Sequence, residues 1–298
     1  MTPLVATFVS NPQAPALTDA LITRAAQALR IDGQTQWLGK DVAADLLFES
    51  TQNPRALADA FRGAVEPYPV DVIVQTVAGR RKKLFLADMD STMIGQECID
   101  ELADFVGLKT QVSHITERAM RGELAFEPAL RERVALLQGL DIQVITEILN
   151  ERIHYTPGGR ELVRTMRAQG AYTALVSGGF TLFTGPVSQA IGFHEHRSNE
   201  LIVSDGKLAG RVAEPILGKE AKLATLKELA RINQLQPHET MAVGDGANDL
   251  AMLQAAGLGV AFHAKPAVAE AAAARIDHSD LTALLYAQGY NNHEFVRD

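Results

Sequence analysis

The chain has 298 residues, 47% of them hydrophobic and 21% charged, and a net charge of −8; that length suits two domains, and the composition is that of an ordinary soluble globular protein. An acidic balance whose longest basic run is Arg80-Arg81-Lys82-Lys83 argues against nucleic acid as a partner, and no apolar stretch reaches the ~18 residues of a membrane span. One cysteine, Cys98, excludes internal disulfides and reads as a small buried side chain; with no basic, then apolar, leader at the N-terminus, a cytoplasmic location is expected.

Residues 1 to 78 read as a separate unit. Leu4 to Val9 is a strand, and Leu17, Leu21, Ala25 and Leu29 mark one face of a helix. Ala44 to Glu49 is a strand, Ala56 to Phe61 a helix and Asp71 to Gln75 a strand. This β-α-β-α-β order resembles an ACT-like domain, a small ferredoxin-like α/β sandwich of regulatory or assembly type. Domains of that type often pair through their sheets, so a homodimer is the assembly the resemblance implies. The basic run at 80–83 reads as a solvated connection into a second unit, 79–298.

In that second unit strands and helices alternate, as a doubly wound parallel sheet requires, placing the chain in the α/β class. Leu84-Phe85-Leu86-Ala87 is a buried strand that runs into Asp88-Met89-Asp90-Ser91-Thr92. From 97 to about 153 only helical patterns occur, which predicts a helical cap inserted after this strand. Ala174-Leu175-Val176 leads into Ser177-Gly178-Gly179-Phe180, and 201–212 reads as a hairpin around Asp205-Gly206. Lys222 opens a helix continued by Leu223, Leu226 and Leu229. Met241-Ala242-Val243 leads into Gly244-Asp245-Gly246-Ala247-Asn248-Asp249.

Three strand ends thus carry chemistry on the carboxyl edge, where open α/β sheets bind ligands. Asp88 and Asp90, two residues apart on extended backbone, point to the same side. One can attack phosphorus while the other handles the leaving group's proton. Carboxylates this close repel each other and an incoming phosphate, and a Mg²⁺ ion bound by a few carboxylates would offset that, with Asp245 as a further carboxylate. Asp249, one turn into the following helix, is placed to support this set from behind. The Ser177 hydroxyl and the free N–H groups of Gly178 and its neighbours suit a phosphate oxygen. Lys222 has no acidic partner three or four residues away, which leaves a charge on phosphate or a solvated lysine. Arg133 sits in an apolar stripe with Ala129, Leu130, Leu136 and Leu137; it calls for a substrate carboxylate or a tertiary salt bridge. Arg131, by contrast, has Glu127 as a surface partner. Glu97 has no local base and two acidic neighbours, so it reads as a ligand for an ammonium or as an acidic helix start. His194-Glu195-His196 lacks helical zinc spacing and reads as an exposed loop.

Asp88-Met89-Asp90-Ser91-Thr92, Glu97, Ile99 to Ala103, Phe126, Leu130 to Val134, Ser177 to Phe180 and Val243 to Asp249 together resemble the phosphoserine phosphatases of the haloacid dehalogenase superfamily, over about 84 to 290. The resemblance implies Asp88 as nucleophile and Asp90 as general acid and base. It implies Mg²⁺ held by Asp88, the main-chain carbonyl of Asp90, and Asp245. Ser177, Gly178 and Lys222 would hold phosphate, Glu97 the ammonium and Arg133 the carboxylate of O-phosphoserine, with Asn248 facing substrate. The activity implied is hydrolysis through an aspartyl-phosphate, the last step of serine biosynthesis. The alternative is a phosphotransferase from phosphoserine to another small alcohol, which these motifs do not separate.

Overall fold

A computed structural model describes residues 1–120 and 123–297. The first 76 residues give β1 (Thr2–Ser10), α1 (Asp19–Ala28), β2 (Gln34–Gly39), β3 (Ala43–Ser50), α2 (Pro54–Val65) and β4 (Val70–Thr76). The antiparallel sheet has the order β2-β3-β1-β4, which is a ferredoxin-like sandwich. The sequence expects five elements here, and β2 is the sixth. Its first three residues, Gln34, Thr35 and Gln36, are exposed, so an edge strand with no apolar alternation escapes a period-two reading. Leu4, Ala6 and Phe8 face α1 and α2 in one apolar cluster with Leu21, Leu57 and Phe61.

The rest of the chain comprises β5 (Leu84–Ala87), α3 (Cys98–Phe105), α4 (Lys109–Met120), α5 (Phe126–Ala135), α6 (Gln143–Glu151), α7 (Gly159–Ala168), β6 (Tyr172–Phe180), α8 (Thr181–Ile191) and β7 (Glu195–Asn199). It continues through β8 (Leu201–Ser204), β9 (Lys207–Val212), α9 (Lys219–Ile232), β10 (Thr240–Gly244), α10 (Leu250–Ala255), β11 (Leu258–Phe262), α11 (Pro266–Ala271), β12 (Ala274–Ile276) and α12 (Ala283–Ala287). Six strands form a parallel sheet in the order β12-β11-β10-β5-β6-β7. Chain order reverses between β5 and β10, the switch point at which such sheets open a ligand crevice. All four β5 residues are buried, as a central parallel strand covered on both faces requires. Phe85 and Ala87 face one core cluster, Leu84 and Leu86 the other.

Helices α3 to α6 form the inserted cap. The chain leaves and returns through a two-stranded neck: Gly95 N–H donates to the His154 carbonyl at 3.0 Å, and Thr156 N–H to the Met93 carbonyl at 3.0 Å. The β8–β9 hairpin props the cap, with Gly139 N–H donating to Leu208 O and Leu208 N–H to Leu140 O, both at 2.8 Å.

Two expectations are corrected. The run at 80–83 is not simply solvated: Arg80 pairs with buried Asp45 at 2.7 Å, and Lys82 is buried with its ammonium on the Gly79 and His238 carbonyls. Nor is 194–196 a loop; Glu195 and His196 lie on β7, and His194 stacks on Tyr172. Cys98 is buried, as expected.

Candidate active site

Three neighbouring strand ends, of β10, β5 and β6, bring the acidic and phosphate-type motifs together. Asp88 follows β5, and its main-chain N–H donates to the Val243 carbonyl at 3.0 Å, which ties the two acidic motifs at their bases. The Asp88 carboxylate accepts the Met89 N–H at 2.8 Å and meets the Lys222 ammonium at 2.7 Å. Asp90 accepts the Cys98 N–H at 2.9 Å on one oxygen and the Ser177 hydroxyl at 3.1 Å on the other. Burial pushes the Asp90 carboxyl up to about 6, repulsion from Asp88 adds to this, and the Cys98 and Ser177 donors oppose it.

Lys222 is 2% exposed and bridges Asp88 to Asp249, with 2.6 Å to the latter. A solvated lysine is thereby ruled out. Burial alone would lower its pKa, but the two carboxylates hold the ammonium above the ordinary lysine value. Asp249 is the N-cap residue of α10, one turn earlier than the sequence suggests. Its second oxygen accepts the Gly246 N–H at 3.1 Å. Burial and repulsion from Asp88 push its carboxyl up to about 7 against the pull of Lys222. Gly244 is obligatory here, since a Cβ would lie 2.4 Å from the Asp249 carboxyl carbon.

Asp245 is half-buried, accepts the Thr92 hydroxyl at 3.4 Å, and is raised by burial and by Asp88. Asp88, Asp245 and Asp249 offer oxygens within 4.8 Å of one another, a donor set of hard carboxylates that fits a divalent cation. Both Asp249 oxygens are already engaged, by Lys222 and Gly246. The free coordinating capacity therefore lies with Asp88 and Asp245.

Toward the cap, Glu97 accepts the Ser91 hydroxyl at 2.7 Å. Surrounding protein and the nearby Asp90 push its carboxyl up to about 7. The residue itself lies exposed at the rim of the site. Ser91 holds the chain at φ +53°, and its N–H donates to the Gln96 carbonyl at 3.2 Å. Arg133 is half-buried on α5, where it donates to its own Ala129 carbonyl at 3.3 Å and reaches Thr116 at 3.5 Å. Burial lowers its pKa, with Asp100 and Glu97 opposing. Among the described residues no carboxylate ion-pairs with it, so the tertiary salt bridge is not formed. Asn248 is exposed at the start of α10. The Phe126 ring stands over the turn: Cβ positions built at Gly178 and Gly218 both lie 3.6 Å from it.

Thr92, beside Asp245, was not singled out from the sequence, although it is next to a motif and could have been found there.

A doubly wound sheet with an inserted cap and aspartates at its switch point defines a class, and the chain belongs to the haloacid dehalogenase-like hydrolases, whose family model matches residues 85–254. Within that class it is similar to the phosphoserine phosphatase of Albidiferax ferrireducens, with 47% identity over 208 residues covering 68% of this chain and 88% of that one. It is 41% identical to the phosphoserine phosphatase of Archaeoglobus fulgidus over 225 residues, 75% of this chain but only 65% of that longer relative. The unliganded structure of a probable phosphoserine phosphatase from Vibrio cholerae superimposes with a TM-score of 0.79 at 31% identity, covering 98% of this chain and 88% of that one.

Proposed function

We propose that the protein hydrolyses O-phosphoserine to serine and phosphate, the last step of serine biosynthesis, in a reducing cytosolic compartment. The observation that carries the reading is the meeting of Asp88, Asp90, Asp245, Lys222 and Ser177 at one sheet edge, under a cap that presents Arg133 and Glu97. A Mg²⁺ ion held by Asp88, Asp245 and the Asp90 carbonyl would offset the charge of the carboxylates and the phosphoryl oxygens. The residues do the rest. Asp88 attacks phosphorus in line, and the serine oxygen leaves as Asp90 gives it a proton. Asp90, now ionised, takes a proton from water as that water attacks the aspartyl-phosphate and releases phosphate. Lys222 ion-pairs with Asp88 and faces the phosphoryl charge, and Asp249 holds Lys222 in place. Ser177, with the Gly178 N–H, cradles the phosphoryl oxygens, a stabilisation that counts most in a site with little water. Arg133, with no carboxylate partner among the described residues, binds the substrate carboxylate, and Glu97 binds the ammonium beside Asn248.

Residues 1–78 are proposed as an ACT-like assembly or regulatory domain. A homodimer built on it would pair through a sheet edge, because α12 packs on its second sheet face.

Steady-state kinetics on a panel of phosphomonoesters with Mg²⁺ tests the reading. Phosphoserine should be preferred, and phosphate release should be the same with and without an added alcohol such as homoserine; a product phosphorylated on that alcohol would favour the transferase. Asp88→Asn should abolish turnover, and more than a tenth of wild-type activity in that variant would end the assignment.

A further inference from the structure

We propose that Asn199 is a positioning residue that fastens the phosphate-binding turn to the start of the helix carrying Lys222, and so sets how tightly the site holds a phosphoryl group. The inference rests on the phosphatase reading above and deepens it.

In the β6–β7 ladder Val176 pairs with Arg197 and Phe180 with Asn199, so Ser177, Gly178 and Gly179 stand opposite Ser198 alone. The turn is therefore a bulge, and its backbone groups lose their ladder partners. The Gly179 N–H turns to Ser177 Oγ at 2.8 Å and the Gly178 N–H is left for phosphate, but the Gly178 carbonyl is stranded on the protein side. The Asn199 amide N–H donates to that carbonyl at 2.9 Å. Its amide oxygen accepts the Leu217 N–H at 2.7 Å, and its second N–H approaches the Leu217 carbonyl at 3.3 Å. Leu217 immediately precedes Gly218, the N-cap of α9, and Lys222 lies one turn further on. One side chain, 2% exposed, thus joins two elements that approach a phosphoryl group from different sides.

Only a carboxamide serves both ends. It must donate to Gly178 and accept from Leu217 at once. An ionised aspartate would accept from Leu217 but set a negative charge against the Gly178 carbonyl. A serine is too short to reach both and leaves room for water. In either variant the Gly178–Gly179 peptide loses its carbonyl anchor and keeps the bond from the Gly179 N–H to Ser177 Oγ at 2.8 Å, so the turn loses its tie to the start of α9 and the Gly178 N–H its fixed aim at the phosphate. The subsite for the amino-acid part, on α5 and the β5–α3 connection, is untouched.

Asn199→Asp and Asn199→Ser should each weaken binding of inorganic phosphate about 10- to 100-fold by titration calorimetry in Mg²⁺, as expected when a buried polar group is left unpaired. Inhibition by L-serine, which lacks the phosphoryl group, should change by less than about twofold. Phosphate affinity equal to wild type in both variants would overturn the proposal, as would parallel losses for phosphate and L-serine. Failure of both variants to fold would also overturn it, making Asn199 part of the scaffold. A wild-type protein that binds phosphate yet leaves phosphoserine intact would instead remove the phosphatase reading, and the phosphate titrations would still score Asn199.

Discussion

At the scale of single residues, Arg133 is the group whose role the surroundings narrow most. It is half-buried, and its partners among the described residues are a helix carbonyl and a threonine hydroxyl, with no anion among them. Arg133→Ala should lower kcat/KM for phosphoserine by about 2–5 kcal/mol in transition-state terms, and hardly alter it for a phosphomonoester without a carboxylate. Equal losses on both would make the residue structural. Asp90 carries the pH dependence. With its carboxyl at about 6, it holds its proton below that pH and loses it above. Leaving-group protonation needs the protonated form, and attack by water needs the ionised one. The aspartyl-phosphate should therefore accumulate in rapid-quench experiments below about pH 6 and fade above it, where its formation becomes the slow step. Accumulation that does not vary with pH would remove Asp90 from this role.

At the scale of elements, the site depends on how strand ends meet helix starts. β10 ends on Gly244, and the first side chain of the next helix, Asp249, folds back over it so closely that no Cβ fits. Asp249 cannot yield easily, since Lys222 and Gly246 hold both its oxygens. Gly244→Ala should therefore cost about 1–3 kcal/mol of stability, as overpacking does. It should also lower activity by displacing Lys222. An unchanged urea midpoint together with full activity would show that the strand end can shift. The cap is held in the same way by non-neighbours, through its neck at residues 93–95 and 154–156 and through the β8–β9 hairpin.

At the scale of the whole molecule, the first 76 residues are packed tightly on the rest. Val9, Leu38, Ala43 and Ile73 share a core cluster with Leu281, Leu284, Leu285 and Tyr286. Asp71, buried on β4, accepts the backbone N–H groups of Asp277, His278 and Ser279 at 2.8 to 3.3 Å. Asp71→Ala would leave these donors unpaired at a buried seam. A loss of about 1–3 kcal/mol or more is expected in urea unfolding, with kcat for phosphoserine near wild type because the site lies elsewhere. No change in the midpoint would show that water replaces the carboxylate. Removal of the unit would expose the apolar face of α12, so a chain starting near Arg80 should be less soluble even where its chemistry survives.

What the sequence determined by itself is what lies close together along the chain. Asp88 with Asp90, Ser177 with its glycines, and Gly244 to Asp249 are contiguous, and an apolar run before each marks a strand end. Periodicity also showed the cap as an unbroken helical stretch. Tertiary structure alone decided which distant groups became partners. Lys222 pairs with Asp88 and Asp249, Asn199 joins Gly178 to Leu217, and Arg133 has no carboxylate partner among the described residues. The polar strand β2 forms because β3 offers it a ladder, with little apolar signal of its own. A hydrogen bond or ion pair between residues far apart in sequence leaves no trace in local spacing. Its partners are chosen by the strand order and by the cost of leaving a buried polar group alone, and both exist only once the chain has folded.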